Sequence, residues 1–246
     1  HYLLLFITIH LSFRYKRKKY FSNKENIGRE CGLLFYLFIY ICCSYTSFPQ
    51  ITKYKYMKTD KEKMLAGEPY LAFCDELVED RARAKDVLFE YNNLRPSDME
   101  RRTEILKQFL GATGKQLLVE QPFRCDYGYN IRVGENFYAN MGCTILDEAL
   151  VTFGDNVLLA PNVSIYTAGH AVNVTRRIAG WEYACPVAIG HNVWIGGNVV
   201  ILPGVSIGDN SIIGAGSVVT KNIPANVVAV GNPCKVIREL TEDERK

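Results

Sequence analysis

Histidine is scarce in this 246-residue chain: there are four, and His1 and His10 stand near its start, leaving His170 and His191 beyond Met57. A metal centre built on three imidazoles is therefore out of reach of residues 57–246. Cysteine is present but not organised. Of eight, five follow Met57 (Cys74, Cys125, Cys143, Cys185 and Cys234), an odd number with no CxxC spacing. That argues against a disulfide framework or a zinc site, and it fits a reducing cytosol. A strong charge is missing as well. The net charge is +3, but residues 1–56 hold nine Lys or Arg against two acidic residues; taken from the whole-chain 29 and 26, this leaves 20 basic and 24 acidic. A basic surplus confined to the leading segment gives no reason to expect nucleic-acid binding.

A clean membrane span is also lacking. Residues 31–52 are uncharged and long enough to cross a bilayer, yet they include Gly32, Pro49, Ser, Thr and several Tyr. A membrane anchor and a targeting sequence are two readings of residues 1–56. The preferred one is upstream sequence read through in frame, because Met57 opens a charged segment of ordinary character and the Phe, Tyr, Ile, Lys and Asn of the leader have AT-rich codons. The expected plan is a leader over 1–56 outside the native fold, a helical subdomain over 57–115 and a β domain over 116–246.

What is abundant is repetition. From Pro186 to Lys221, Ile189, Ile195, Ile201, Ile207, Ile213 and Val219 recur every six residues, and Gly190, Gly196, Gly208 and Gly214 follow four of them. An α-helix turns about 100° per residue, so a six-residue period would scatter these side chains around it. A strand keeps them on one side of the pleat, because six is even. One short strand and one corner per hexad, three to a coil, with coils about 4.8 Å apart, give a parallel β-helix with an aliphatic ladder inside. The ladder starts earlier, with Val133, Ala139 and Ile145 and then Phe153, Leu159 and Ile165. From Ile165 to Ile189 the step is 24 instead of six, so residues 169–186 leave the coil as an excursion loop. Long loops in regular scaffolds usually serve function.

Before the repeats, apolar spacing predicts a helix over about 74–92, and Ser97 with Glu100 reads as a capping box opening a second helix that Gly111 stops. A short strand follows at 116–120. The tail NPCKVIRELTEDERK reads as a short helix.

His170 stands at the root of the excursion, whereas His191 sits in an ordinary hexad. An imidazole can take a proton from a hydroxyl near neutral pH, so His170 is the candidate general base and His191 a solvated corner.

These residues now resemble a known family. PFRCDYGYNI, NFYANMGCTILD, GDNVLLAPNVSIYTAGHAV, NVWIGGNVVILPGVSIGDN and VVTKNIPANVVAVGNPCKVI look like the maltose and galactoside O-acetyltransferases, which are hexapeptide-repeat acyltransferases. The resemblance covers the chain from Met57 to about Leu240. It implies a left-handed β-helix with an N-terminal helical subdomain, acetyl-CoA as co-substrate, no metal, a sugar acceptor, a homotrimer with active sites between neighbouring prisms, and a cytoplasmic location. Carried over by residue, it implies that His170 is the base and Asn140 stabilises the transition state. Gly197 would offer its N–H to the thioester oxygen, and Ala215, Thr220 and Lys221 would line the pantetheine and adenine groove. Lys235 and Arg238 would pair with the nucleotide phosphates. Asp126, Asp147 and Glu148 would form the sugar-side wall, and Glu182 would orient His170 or stabilise its charge. Two positions depart from the galactoside enzymes: Ala72 replaces a substrate-contacting Asp, and Asp126 replaces a Ser. Maltose or glucose is accordingly the expected acceptor, reached by direct transfer and not through Cys143 or Cys185. The alternatives are a galactoside, an antibiotic, a serine or a nucleotide sugar as acceptor, or a non-catalytic β-helix scaffold. A γ-class carbonic anhydrase would need three metal-binding His.

Overall fold

The six-residue period is realised as a three-faced parallel β-helix. The computed structural model describes residues 57–245, which belong to one compact unit, Met57–Lys246; the leader reading of 1–56 lies outside the described residues. Face one stacks β4 (Ile131–Arg132), β7 (Val151–Phe153), β12 (Val187–Ile189) and β15 (Ser206–Ile207). Face two stacks β2 (Leu117–Val119), β5 (Phe137–Ala139), β8 (Leu158–Leu159), β13 (Trp194–Ile195), β16 (Ile212–Ile213) and β18 (Val227–Val230). Face three stacks β3 (Arg124–Cys125), β6 (Thr144–Leu146), β9 (Ser164–Tyr166), β14 (Val200–Ile201) and β17 (Val218–Val219).

The register runs one ladder through each face. Phe153, Ile189 and Ile207 pair in turn on face one, Ala139, Leu159, Ile195, Ile213 and Ala229 on face two, and Ile145, Ile165, Ile201 and Val219 on face three. All are buried. Burying such an aliphatic side chain is worth about 1.5–3 kcal/mol. Ile223, where the hexad series breaks, still pairs with Ile207: the corner before it is shorter and the ladder position is kept.

The corners need left-handed backbone. Between faces one and two, Asn136, Asn156, Asn192, Asn210 and Asn226 all have positive φ, a conformation Asn tolerates better than most L-residues. Each of the first four donates its amide to the next coil's Asn, at 2.8–2.9 Å, so a side-chain ladder runs up this edge to Asn226.

The first coil would leave strand β2 with an open edge. Helices α2 (Asp75–Asn93) and α3 (Met99–Phe109) cover it. Leu88, Tyr91, Ile105 and Leu106 join the same core as Val119 and Phe123. The Tyr91 hydroxyl and an Arg102 Nη2 both donate to the Val119 carbonyl, at 2.6 and 2.7 Å, satisfying a group that no further coil reaches.

Two expectations need correction. The cap of α3 is Asp98, whose carboxylate accepts from Arg101 N at 3.4 Å, and not Ser97. The reciprocal capping box lies instead at Thr59 and Glu62, opening the short helix α1 (Asp60–Leu65). The tail is not helical over its main part: β19 (Lys235–Glu239) pairs antiparallel with β18, and only a 3₁₀ turn follows at Asp243–Arg245. The last coil exposes an unpaired edge, and the β-branched Val236 and Ile237 suit a strand that covers it.

The excursion is an ordered hairpin. β10 (Ala168–His170) pairs with β11 (Trp181–Ala184), the five-residue helix α4 (Val174–Ile178) lies between them, and β1 (Tyr70–Leu71), from the N-terminal subdomain, adds a third strand along β11.

Candidate active site

Strand register places the candidate base. In the three-stranded sheet, His170 stands opposite Glu182, and Glu182 opposite Tyr70. Directly opposed residues point to the same side of a sheet. His170 Nδ1 lies 3.5 Å from Glu182 Oε1, with the imidazole 60% exposed and the carboxylate 15%. The other carboxylate oxygen, Oε2, accepts from the Tyr70 hydroxyl at 2.8 Å. Gly169 precedes the base, and the Tyr183 ring packs over it. Sequence reading found His170 and Glu182 but not Tyr70, which no local pattern marks.

The carboxylates assigned to the acceptor wall do come together, at the corner between faces three and one. Asp147 is fully buried. Its Oδ1 accepts from the N–H groups of Asp126 and Tyr127 at 3.0 and 2.8 Å, while Oδ2 has no partner among the described residues. Burial pushes its carboxyl up to about 6, against the pull of those amides. The Glu148 carboxyl is driven up further, by burial first and then by its hydrogen bond to Asp126 and that group's charge. Thr167 Oγ1 accepts from Ala149 N at 2.9 Å and donates to the Leu146 carbonyl at 2.8 Å, with Glu148 Oε2 a more distant acceptor at 3.3 Å.

Arg81, on α2, closes this wall from the helical side. It donates to the Tyr127 hydroxyl and to the Ala72 carbonyl, each at 2.6 Å, and lies over the rings of Phe73 and Tyr127. Sequence reading missed Arg81 and Tyr127, which are remote from the repeats or look like hexad residues.

The other edge of face three holds a second group. Gly197 and Ala215 stack in successive coils, joined by Gly216 N donating to the Gly197 carbonyl at 2.9 Å. Asn140 lies lower on the same edge, its Oδ1 accepting from Met141 N at 2.8 Å; its side chain does not bond His170. The two glycines of WIGG differ. A Cβ on Gly196 would stand 2.6 Å from Ala215 N, whereas one on Gly197 would meet Pro161 alone, its carbonyl O at 3.3 Å and its Cδ at 3.9 Å. Close coil packing thus requires the first, and the second leaves its backbone open to an approaching group. Thr220 and Lys221 are exposed on the opposite edge of the same face, after β17. Lys235 and Arg238 lie on β19, and Arg238 holds Glu244 through two bonds of 2.7 and 2.8 Å. Binding a phosphate there would mean giving up an internal carboxylate.

Cys143 is buried, its thiol pushed up to about 11 by desolvation; such a thiol is a poor nucleophile. His191 accepts at Nδ1 from Asp155 N, a bond between coils. Among the described residues, no cluster of three His, Cys, Asp or Glu is set to hold a metal ion, and no helix is long and apolar enough to cross a membrane.

Comparison with known proteins finds matches over both the helical segment and the repeats. Residues 63–114 fit the maltose acetyltransferase hexapeptide capping motif and residues 186–221 the bacterial transferase hexapeptide of six repeats. Galactoside O-acetyltransferase of Escherichia coli is 49% identical over 184 residues, covering 75% of this chain and 91% of its own. A putative acetyltransferase of Saccharomyces cerevisiae is 54% identical over 184 residues, covering 74% and 94%. A solved maltose O-acetyltransferase from Clostridium difficile superposes with a TM-score of 0.74 at 56% identity over 75% of this chain and 99% of that one. A galactoside acetyltransferase in complex with coenzyme A superposes with a TM-score of 0.74 at 48% identity, over 77% and 94%. The chain belongs to the maltose and galactoside O-acetyltransferase family, and is an acetyl-CoA-dependent O-acetyltransferase on that family's left-handed parallel β-helix.

Proposed function

We propose that the protein acetylates a hydroxyl of a maltose- or glucose-like sugar by direct transfer, with His170 as general base. The observation that carries this reading is the cross-strand pairing of His170 with Glu182, His170 following shortly after Thr167, which stands 3.3 Å from Glu148 of the buried carboxylate corner. With Nδ1 turned to Glu182, Nε2 is free to take the acceptor's proton. The hydroxyl oxygen then attacks the thioester carbonyl, and the charge that develops on the carbonyl oxygen is met by the Gly197 N–H. Collapse breaks the carbon–sulfur bond, and the proton passes from the imidazolium to the departing CoA sulfur. Glu182 favours the imidazolium in between.

Asp126, Asp147 and Glu148 serve the acceptor side. The raised Glu148 carboxyl, hydrogen-bonded to Asp126, can both donate and accept, which suits sugar hydroxyls. Ala215, Thr220, Lys221, Lys235 and Arg238 serve acetyl-CoA, and Asn140 completes the transition-state contacts from a neighbouring subunit. That subunit belongs to a homotrimer. The outward residues of face two support it: Tyr138, Leu158, Trp194, Ile212 and Val228 stand in register as an apolar stripe, with Leu158 and Trp194 47% and 52% exposed. A cytoplasmic location accords with five free thiols among the described residues.

The test is release of CoA thiol from acetyl-CoA with maltose, glucose and a β-galactoside in turn. Release with maltose or glucose several-fold above that with the galactoside is the expected result. A protein that binds CoA yet is silent with every sugar has another acceptor, such as an antibiotic, a serine or a nucleotide sugar. One that binds no CoA is a scaffold.

A further inference from the structure

We propose that Tyr70 is a positioning residue of the transfer reaction, holding Glu182 so that one carboxylate oxygen stays aimed at His170. The proposal rests on the reading of His170 as the base. Tyr70 comes from β1, outside the β-helix, and is fully buried. Its hydroxyl donates to Glu182 Oε2 at 2.8 Å, and the remaining oxygen, Oε1, is the one 3.5 Å from His170 Nδ1. The three residues form one row across β1, β11 and β10. A carboxylate with one oxygen tethered has a single free oxygen in a fixed direction. Facing that oxygen, the imidazole keeps its proton on Nδ1 and leaves Nε2 unprotonated for the acceptor hydroxyl. The 3.5 Å separation is longer than a hydrogen bond; such contacts commonly shorten once substrate is bound.

The surroundings keep Tyr70 a donor. Burial, the Glu182 carboxylate and nearby Glu148 and Tyr127 all push its phenol well above the usual range. The groups near Glu182 are thus Tyr70 from β1, His170 from β10 and Arg81 from α2, and Tyr70 in turn feels Glu148 from the acceptor corner. Through Tyr70 the N-terminal subdomain acts on the base and does not merely close the end of the coil.

The experiment compares Tyr70→Phe, Glu182→Gln and the double variant of the full chain, with His170→Ala alongside. Tyr70→Phe should lower kcat about tenfold, the rate equivalent of one hydrogen bond to a charged group, with KM for acetyl-CoA unchanged. The double variant should be no slower than Glu182→Gln alone, since the tether has nothing left to hold. The ¹⁵N shifts of the His170 ring should report Nδ1–H in the parent and a tautomer mixture in Tyr70→Phe. An unchanged kcat with an unchanged tautomer, or losses that multiply in the double variant, would overturn the proposal. If His170→Ala kept the full rate, the base reading itself would fall; if it lost the rate while Tyr70→Phe did not, only the role of Tyr70 would.

Discussion

Asp147 shows what a single buried carboxyl does to stability here. Its folded-state pKa is raised from 3.8 to about 6 by desolvation, so between those values the folded state holds a proton that the unfolded state has released. Stability then falls as pH rises, because burying the ionised form costs more with each step. Asp147→Asn removes this term. The parent's unfolding free energy relative to the variant's should fall by about 1.4 kcal/mol per pH unit between roughly pH 4 and 6 and level off above. Urea unfolding at several pH values measures it; a difference that rises with pH would contradict the burial argument. Individual residues were unevenly legible in the sequence. His170 stood out because an interrupted repeat pointed to it, and Asp126, Asp147 and Glu148 because they lie in motifs that the resemblance supplied. Tyr70 and Arg81 lie in ordinary extended or helical sequence; Tyr70 is placed by a strand pairing across more than a hundred residues and Arg81 by a bond to Tyr127 at a separation of 46, and no local spacing encodes either.

Elements followed periodicity where periodicity existed. The hexads gave three faces in the expected register, because an even period fixes which side chains face inward. Where the repeat stopped, competing local signals decided. Asp98 displaced Ser97 as the cap of α3, and substitution should separate them: Asp98→Ala should cost about 1 kcal/mol and Ser97→Ala under about 0.5 in thermal unfolding. Loss of stability at Ser97 alone would reverse that assignment. The tail became a strand because the open edge of β18 outweighed a weak helical pattern. The WIGG corner offers a second separation. Gly196→Ala forces a Cβ against the backbone of the coil above, so it should lower the melting temperature, while Gly197→Ala should fold normally and slow acetyl transfer. Melting curves and CoA release on the two variants test this, and equal melting losses would contradict it.

At the scale of the whole molecule, the β-helix is a frame whose corners set the proposed site residues along two edges of one face. The exposed stripe on face two gives the proposed trimer a definite weak point: Trp194→Glu should shift the mass in solution toward one chain and abolish activity together with it, since Asn140 would then lose its partner site. Light scattering reads the mass, and an active monomer would refute the shared-site arrangement. The measurement closest to the central claim is sugar-dependent CoA release by the parent and by His170→Ala, with CoA affinity measured in both. The account predicts unchanged CoA binding and a rate lower by at least about 10² in the variant. A His170→Ala protein that binds CoA and transfers acetyl at the parent's rate would contradict it.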